Sequence, residues 1–451
     1  MNQEVASSTS TAPNSRKALR QRVRLPVLRA GGGEHATIYH FLRTVFQGPS
    51  PEEFQASLND PFYEPYDRLL LRRRRQIIAH VQMIHRTMRF GGPWLPVAGL
   101  DRLGVAPEYR GQGLGMHLLR AAEHQMEAGG AMVGMLQTSK PGFFEHTGWT
   151  PCGQASYRRA GARAILARLR ECGLLPYPRR RLHIRPWLKW EYAALARIYC
   201  QNVMPGEDAS GLVAVGPLER TEAYWNWLLK RHAFDRVYVA LEGPELLELG
   251  ETTTHMVGYA VTRGDQILEL MTAADRPRVA ARLLARCCGD AIEQDMHSLL
   301  LHAPAACPLL TIFDEAGGRG PPQAPDRDEV SMVRLLAPLQ FLRRLCGEFH
   351  RRAEEANLSR PLDLGLLVEG RKYQLELRRE GAAVVAQRLG RSYLRLNVAD
   401  FTRLVLGQLD WNAAIDQGRL ECSTALAHEA GRVIFPRQTL WRPPWDNRPA
   451  A

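Results

Sequence analysis

The sequence predicts a mixed α/β protein, in which two similar units precede a third module of α+β type. Apolar positions alternate along short segments, as in strands, and recur every three to four residues along others, as in helices. The order strand, helix, hairpin strands, strand, helix runs once from Val23 and again from Leu182. At 451 residues the chain exceeds one ordinary hydrophobic core, so we expect several domains.

The composition is that of an ordinary soluble globular protein, with 45% hydrophobic and 24% charged residues. No apolar run approaches the length of a membrane span. Residues 1–22 are polar and lack the apolar centre of a signal peptide, so we expect a disordered tail and a cytoplasmic protein. The eight cysteines are scattered without a CxxC pair, which predicts free thiols and no metal site.

The net charge is +12 and is carried mainly by arginine. Runs such as Arg72–Arg75 and Arg179–Arg181 have the charge to bind a polyanion. They lack the interleaved aromatic residues of an RNA-binding sheet, so a solvated basic face is favoured over a nucleic-acid partner. Such a face would also attract a cofactor that carries phosphates.

The first unit can be read element by element. Residues 23–30 predict a strand, and Glu34–Gln47 predicts a helix with apolar spacing. Leu69–Arg74 and Gln76–Met88 resemble strands, and Gly91–Pro93 predicts the turn of a hairpin. A strand at Val97–Val105 then leads through a glycine-rich loop to a helix at Met116–Met126.

The loop Arg110–Gly115 has the sequence RGQGLG and lies between a strand and a helix. Glycines let a backbone approach phosphates closely, and a helix start offers unpaired N–H groups with a partial positive charge. The dinucleotide fingerprint GxGxxG does not fit, because Met116-His117-Leu118 follow Gly115 without a third glycine. A nucleoside-triphosphate loop is excluded because no Gly-Lys-Ser/Thr follows. The pattern therefore favours a pyrophosphate site of another kind.

Residues 104–119, GVAPEYRGQGLGMHLL, resemble the acetyl-CoA-binding motif of the GNAT family of N-acetyltransferases. Residues 141–149, PGFFEHTGW, resemble the next motif of that family at the expected distance. The resemblance implies a GNAT fold and acetyl-CoA as co-substrate. It also implies cofactor contacts at Leu103, Gly104, Val105, Arg110, Gly111, Gln112, Gly113, Leu114, Gly115 and Ser139.

The implied reaction is direct attack of a primary amine on the thioester in a ternary complex. In related enzymes the base is a C-terminal carboxylate, here that of Ala451, and the acid is a tyrosine at the position of Phe144. Phenylalanine cannot donate a proton, so the acid is open, with Tyr157 and His146 as substitutes. His80 and His85 are further candidates for the base. A cationic acceptor would need carboxylates, for which the candidates are Glu52, Glu53 and Asp60.

The second unit repeats the order of the first but has Ala273–Arg278, with Asp275, where the first has its glycine loop. We therefore expect a GNAT-like fold without a cofactor site. Before it, Arg159–Leu175 predicts a helical basic connector. After it, Gly317–Asp328 reads as a linker, and the helix predicted at Phe341–Ala356 and the strands that follow resemble the sterol-carrier-protein fold.

The expected organisation is a tail at 1–22, a catalytic GNAT domain at 23–160, a connector at 161–182, a degenerate GNAT-like domain at 183–316, a linker at 317–328 and a sterol-carrier-like domain at 329–451. This order resembles acetyltransferases of the enhanced-intracellular-survival (Eis) type. That resemblance implies a small-molecule or lysine amine as acceptor and a homo-oligomer, with hexamers common in the group. Two alternatives are an acyl-CoA sensor that has lost the acid and a lipid-binding protein that acts through the last domain.

Overall fold

The computed structural model describes residues 25–153, 156–175, 182–203, 215–243, 255–274, 276–320 and 330–446. The predicted tail, Asp275, Ala451 and most of the predicted linker lie outside the described residues. The predicted α/β class is confirmed, because mixed sheets are flanked by helices.

The first part of the chain holds strands and helices in the predicted order. They are β1 (Val27–Arg29), α1 (His35–Phe46), α2 (Pro51–Leu58), β2 (Arg68–Arg73), β3 (Gln76–Phe90), β4 (Trp94–Val105), α3 (Leu114–Ala128), β5 (Val133–Thr138), α4 (Pro141–Glu145) and β6 (Thr150–Pro151). Helix α2 begins at a capping box, in which the Ser50 hydroxyl accepts from the Glu53 amide and the Glu53 carboxylate accepts from the Ser50 amide.

The middle of the chain repeats this order. Its elements are β7 (Tyr157–Gly161), α5 (Ala162–Glu171), β8 (Leu182–Pro186), α6 (Tyr192–Val203), β9 (Val215–Leu218), α7 (Glu222–Lys230), β10 (Arg236–Glu242), β11 (His255–Arg263), β12 (Gln266–Thr272), α8 (Pro277–Glu293), β13 (Ser298–His302) and α9 (Pro308–Glu315). Strand β12, helix α8 and parallel strand β13 repeat the arrangement of β4, α3 and β5.

The last part holds a further sheet with its helices. Its elements are β14 (Val330–Leu335), α10 (Pro338–Arg344), α11 (Cys346–Glu355), β15 (Leu362–Val368), β16 (Arg371–Leu377), β17 (Ala382–Ala386), β18 (Tyr393–Leu396), α12 (Val398–Val405), α13 (Trp411–Asp416), β19 (Leu420–Cys422) and α14 (Ala425–Ile434). Leu364, Leu366, Leu375 and Leu394 fill the space between this sheet and helices α11 and α14.

The described strands form three sheets. Three of the strands, β7, β9 and β14, pair outside the predicted domain that contains them. The first sheet has the order β1-β2-β3-β4-β5-β14-β6, with β9 also paired to β3. The second has the order β7-β13-β12-β11-β10-β8, and the third β17-β16-β15-β18-β19. Strands β9 and β14 therefore complete the first sheet from later sequence, while β7 joins the second. The predicted domain boundaries at residues 160, 183, 316 and 329 stay a prediction. These three strands pair across the boundaries.

Two predicted helices differ from the structure. The segment Arg159–Leu175 begins as strand β7, because residues 157–161 pair with β13, and only α5 is helical. The segment Phe341–Ala356 is two helices, which meet at Leu345. Strand β14 was not expected, because its partners β5 and β6 lie far away in the sequence.

Within the described ranges, no helix combines the length and the apolar character that crossing a bilayer requires.

Candidate active site

A cavity of about 410 Å³ lies on one face of the first sheet. Its floor is made of side chains at alternate positions of adjacent strands, which point to the same face. These are Gln82, Ile84 and Arg86 of β3, Val97, Gly99 and Asp101 of β4, Met135 and Gln137 of β5, and Ser331 of β14. The walls come from α2, the end of α7 and the segment after α14, through Glu53, Ala56, Ser57, Asp60, Leu218, Trp227, Arg231, Arg442 and Asp446.

Helix α3 covers the opposite face of the same sheet. Its buried residues share one apolar cluster with the intervening positions of β3 and β4: Leu118, Leu119 and Ala122 with Val81, Met83 and Ala98. The glycine-rich loop at the start of α3 and the cavity therefore lie on different faces of the sheet. A reaction that uses both needs an opening between the strands.

That opening lies between β4 and β5. The two strands pair in parallel only where Val97–Gly99 meets Val133–Met135. Both strands continue, β4 to Val105 and β5 to Thr138, so their backbones diverge beyond this point. Leu100 and Leu136, the first residues past the divergence, line the cavity.

A β-bulge on β4 lies at the same place. The register against β3 shifts between His80 and Gln82, where β4 holds one extra residue. Arg102 adopts φ 51°, a left-handed conformation that is uncommon outside glycine. A bulge bends its strand, which here directs β4 away from β5. The Arg102 carbonyl accepts a hydrogen bond from His80 Nδ1 at 3.1 Å.

The loop Arg110–Gly115 has the geometry of an anion site. Gly111 and Gly113 have φ 75° and 78°, and a Cβ at either would meet no atom within 4 Å, so the backbone is open to solvent. No side chain caps the start of α3, and the first N–H groups of an α-helix have no intrahelical partner. Arg110 is exposed, and its Nε donates to the Val105 carbonyl at 3.1 Å.

Gly104 and Gly115 have packing roles beside this loop. A Cβ at Gly104 would lie 2.7 Å from the Phe46 ring, so a larger residue here would require that ring, at the end of α1, to shift. A Cβ at Gly115 would lie 3.6 Å from both Phe143 and Val105, which is ordinary contact. The exposed Phe143 ring therefore borders the start of α3.

The predicted acid candidates are not brought together. Phe144 is buried and packs edge-on against Phe143 and Trp149. His146 and Ser139 are exposed beyond β5. Tyr157 lies in the second sheet, with its ring 5.7 Å from that of His302. None of these residues lines the cavity.

The two histidines of β3 both have partners. His80 is fully buried, and its Nε2 accepts from Arg68 Nη1 at 3.2 Å while Nδ1 binds the Arg102 carbonyl. Burial, followed by the charge of Arg68, lowers the pKa of His80 to about 3. His85 lies 3.3 Å from the buried carboxylate of Asp67 and outside the cavity. Neither His80 nor His85 lines the cavity, so neither ring is placed to take a proton from an amine bound there.

Of the carboxylates proposed for a cationic acceptor, Glu53 and Asp60 line the cavity, whereas Glu52 is exposed on the first turn of α2. Asp60 is ion-paired with Arg86, and Glu53 caps its own helix. Asp101, opposite Gln82 on the next strand, lines the cavity with its side chain 42% exposed.

A buried ion cluster lies behind the cavity. The Arg220 guanidinium bridges Glu269 and Asp446, with N–O distances of 2.6 to 3.0 Å. Tyr259 donates to Glu269, and Tyr224 donates to Asp446 at 3.2 Å. The cluster fixes the segment that carries Arg442 and Asp446 against β12 of the second sheet and against the residues between β9 and α7.

Sequence reasoning missed Gln82, Asp101, Arg231, Arg442 and Asp446, which line the cavity. One signal was present: Gln82 is a polar residue within the buried stretch of β3. The others come from elements that meet only in the folded chain.

Comparisons with known proteins identify the family that the first part of the chain resembles. Residues 28–152 match the family described as Acetyltransferase (GNAT) domain, whose members transfer an acyl group from acyl-CoA to an amine. No curated protein matches the chain in sequence.

Several solved structures share the fold over nearly the whole chain. A GCN5-related N-acetyltransferase from Anabaena variabilis has 15% identity and a TM-score of 0.69, covering 93% of this chain and 99% of its own. A GCN5-related N-acetyltransferase from Kribbella flavida has 16% identity and a TM-score of 0.66, covering 93% and 97%. Eis1 from Mycobacterium abscessus has 15% identity and a TM-score of 0.60, covering 92% and 99%.

Proposed function

We propose that this chain, which carries a GNAT acetyltransferase domain, moves the acetyl group of acetyl-CoA to a primary amine by direct attack in a ternary complex. The observation that carries the proposal is the divergence of β4 from β5. It joins the glycine-rich loop on one face of the sheet to the cavity on the other. The thioester would lie in this opening, within reach of an amine from the cavity.

The cofactor would be held mainly by backbone. The amides from Arg110 to Gly115 and the start of α3 would bind the pyrophosphate, because they present N–H groups and the positive end of a helix dipole. The edge of β4 at Leu103–Val105 would pair with the pantetheine amides, since β5 no longer pairs with it there. Ser139 would lie near the cofactor at the end of β5. The reaction needs no metal.

Asp101 is the base in this proposal. Among the carboxylates that line the cavity, Asp60 and Asp446 are paired with buried arginines and Glu53 caps α2. Asp101 also has an arginine nearby, with Arg102 Nε at 3.6 Å, but its side chain is 42% exposed and stands at the strand opening. An amine of pKa near 10 is about one part in a thousand neutral at pH 7, which costs roughly 4 kcal/mol. Asp101 would take the ammonium proton, directly or through water, so that the nitrogen lone pair can attack.

The reaction then exchanges one bond for another. The amine nitrogen forms a bond to the acetyl carbonyl carbon and becomes positively charged. It then loses its second proton to water, the carbon–sulfur bond breaks, and CoA leaves as a thiolate. Phe144 cannot supply a proton, so the thiolate takes one from solvent. A thiol of pKa near 8.5 is a tolerable leaving group, and its departure therefore does not require a tyrosine.

The first test measures thiol release from acetyl-CoA with a panel of amines and purified protein. Gly113→Val should raise the KM for acetyl-CoA about tenfold or more, because valine tolerates φ 78° poorly and covers the amides. Gly130→Val is the matched control, since Gly130 has φ 87° in open space outside the loop. Transfer that is unchanged in Gly113→Val would contradict the proposed cofactor site.

Asp101→Asn tests the base. The kcat should fall by about 100- to 10,000-fold, while acetyl-CoA binding measured by calorimetry stays unchanged. A variant that keeps full kcat would remove Asp101 from the mechanism. If no amine gives thiol release although acetyl-CoA binds, the chain is an acyl-CoA sensor instead, and Phe144→Tyr becomes the informative variant.

The proposed type is Eis-like, with a second GNAT-like unit that binds no cofactor and a sterol-carrier-like last domain. The fold likeness to Eis1 and the repeated strand–helix–strand order support it. We also propose that the protein is a cytoplasmic homo-oligomer, with the hexamer that the resemblance to the Eis type implies. Light scattering on the purified protein would test this assembly.

A further inference from the structure

The charges around the cavity are not balanced on the side formed by α7 and the segment after α14. Four guanidinium groups lie there, those of Arg86, Arg220, Arg231 and Arg442, with three carboxylates, those of Asp60, Glu269 and Asp446. Arg86 pairs with Asp60, and Arg220 pairs with both Glu269 and Asp446. One positive charge therefore remains without a carboxylate.

Arg231 and Arg442 carry that unmatched charge. Arg231 donates to the Trp445 carbonyl and stacks over Trp227 at 4.4 Å, but it makes no ion pair in the described part of the chain, and its Nε is buried without a partner. Arg442 lines the cavity and makes no hydrogen bond or ion pair with any residue that the structure describes. Burial lowers the pKa of both groups, so an anion beside them would offset their desolvation.

A second unsatisfied group lies at the other end of the cavity floor. Gln82 is 4% exposed, and its Oε1 has no hydrogen-bond partner among the described residues. It faces the cavity opposite Asp101, at the opening between β4 and β5. A buried amide without a partner is costly, and an ammonium group is a donor that both Gln82 and Asp101 could accept.

The two ends are separated along β3. Arg86 lies four residues along the strand from Gln82, a distance of about 13 Å. Arg231 and Arg442 both interact electrostatically with Arg86. The long side chains of Arg231 and Arg442 reduce the distance that a ligand must span between them and Gln82. A cavity of about 410 Å³ holds a small molecule of several bonds in length.

We infer that the acceptor is an amino acid-type molecule, with its primary amine at Gln82 and Asp101 and a carboxylate several bonds away on Arg442 and Arg231. The inference rests on the proposed acetyl transfer and adds the substrate class. Guanidinium groups match a carboxylate with parallel N–H donors, which an ammonium group at the same place would meet with repulsion. Polycationic acceptors should therefore be poor substrates, in spite of Glu53 and Asp60.

The test compares three acceptors of equal length: aminohexanoate, hexylamine and hexamethylenediamine. We expect kcat/KM to be highest for aminohexanoate, by about 10- to 100-fold over hexylamine, because a charge-assisted hydrogen-bond pair accounts for that factor. Arg442→Met should remove this advantage, so that kcat/KM for aminohexanoate falls to about the value for hexylamine in the same variant. Arg442→Lys should retain part of it, and Arg395→Met, at an exposed ion pair, should retain all of it.

A binding measurement gives an independent readout. With CoA bound, which has no acetyl group to transfer, hexanoate should compete with aminohexanoate for binding in the wild type and fail to compete in Arg442→Met. Equal kcat/KM for aminohexanoate and hexylamine, a preference for the diamine, or an advantage that survives Arg442→Met would overturn the assignment while leaving acetyl transfer established. Absence of thiol release with every amine would instead refute the proposed function itself.

Discussion

Replacing Arg220 by methionine should destabilise the protein in a way that depends on pH. In the native protein this side chain and its two carboxylate partners are fully buried. Removal of one member of a buried ion pair typically costs 3–5 kcal/mol, because the remaining charge is left without a partner. Asp446 keeps its hydrogen bond from Tyr224 and the nearby charge of Arg442, so Glu269 bears most of the loss.

The size of the loss in stability follows from the protonation of Glu269, which removes the unpaired buried charge. Burial already raises the pKa of Glu269, and without Arg220 the carboxylate would take up a proton in the folded state. Holding a carboxyl of unfolded pKa near 4.3 protonated at pH 7 costs about 4 kcal/mol, at 1.36 kcal/mol per pH unit. At pH 5 the same cost is about 1 kcal/mol. The folded variant binds more protons than the unfolded one, so its stability falls as the pH rises.

Urea unfolding at pH 5 and pH 7, followed by tryptophan fluorescence, measures both values. Trp225 and Trp445 lie 4.9 and 5.2 Å from the Arg220 guanidinium, so their emission reports on this region. Arg395→Met, at an ion pair that is more than half exposed on both sides, should cost at most about 1 kcal/mol. Adding Glu269→Gln to Arg220→Met should recover stability at pH 7. A loss below about 1 kcal/mol, or an equal loss at both pH values, would refute the reasoning.

Three further predictions concern other parts of the molecule. His80 has a pKa of about 3 in the folded protein and 6.5 in the unfolded chain, so its contribution to stability is complete above pH 6.5 and falls by about 3 kcal/mol by pH 4. In urea unfolding, His80→Gln should therefore lose less stability than the wild type between pH 6.5 and pH 4. Gly216→Ala should lower the melting temperature and weaken acceptor binding, because its Cβ would lie 2.2 Å from the Trp441 carbonyl oxygen at φ 119°. Gly264→Ala, in open space at φ 54°, is the control and should leave the acceptor KM unchanged. A thiol-reactive dye should label the exposed Cys172 in the native protein but reach Cys152 and Cys288, whose pKa burial raises to about 12, only after unfolding; rapid native labelling of Cys152 would contradict the packing.

The glycine-rich loop between β4 and α3 could be predicted from the sequence because its conformation is determined locally. Glycines at fixed positions between an apolar strand and an amphipathic helix specify the same turn wherever they occur, and Gly111 and Gly113 adopt the left-handed conformations that such a turn needs. The repeated strand–helix–strand order was visible for the same reason, since it depends on hydrophobic periodicity within each segment.

The acceptor cavity could not be predicted in this way. Its floor alternates along four strands, and one of them, β14, comes from beyond the second unit. Arg442 and Asp446 reach it through the Arg220 cluster, in which no two members are neighbours in sequence. The predicted acids failed to meet the cavity because Phe144 turns into the core and Tyr157 begins a different sheet.

The place of β14 has a consequence for biosynthesis. Strand β5, which carries one wall of the strand opening, has β14 along its whole outer edge, from Val133 opposite Leu335 to Thr138 opposite Val330. A ribosome must therefore translate the chain through Leu335 before that edge is covered, and until then the nascent GNAT segment exposes unpaired strand backbone. The segment that resembles an independent domain in sequence therefore cannot complete its sheet by itself. Its folding is completed only after translation has reached the end of β14.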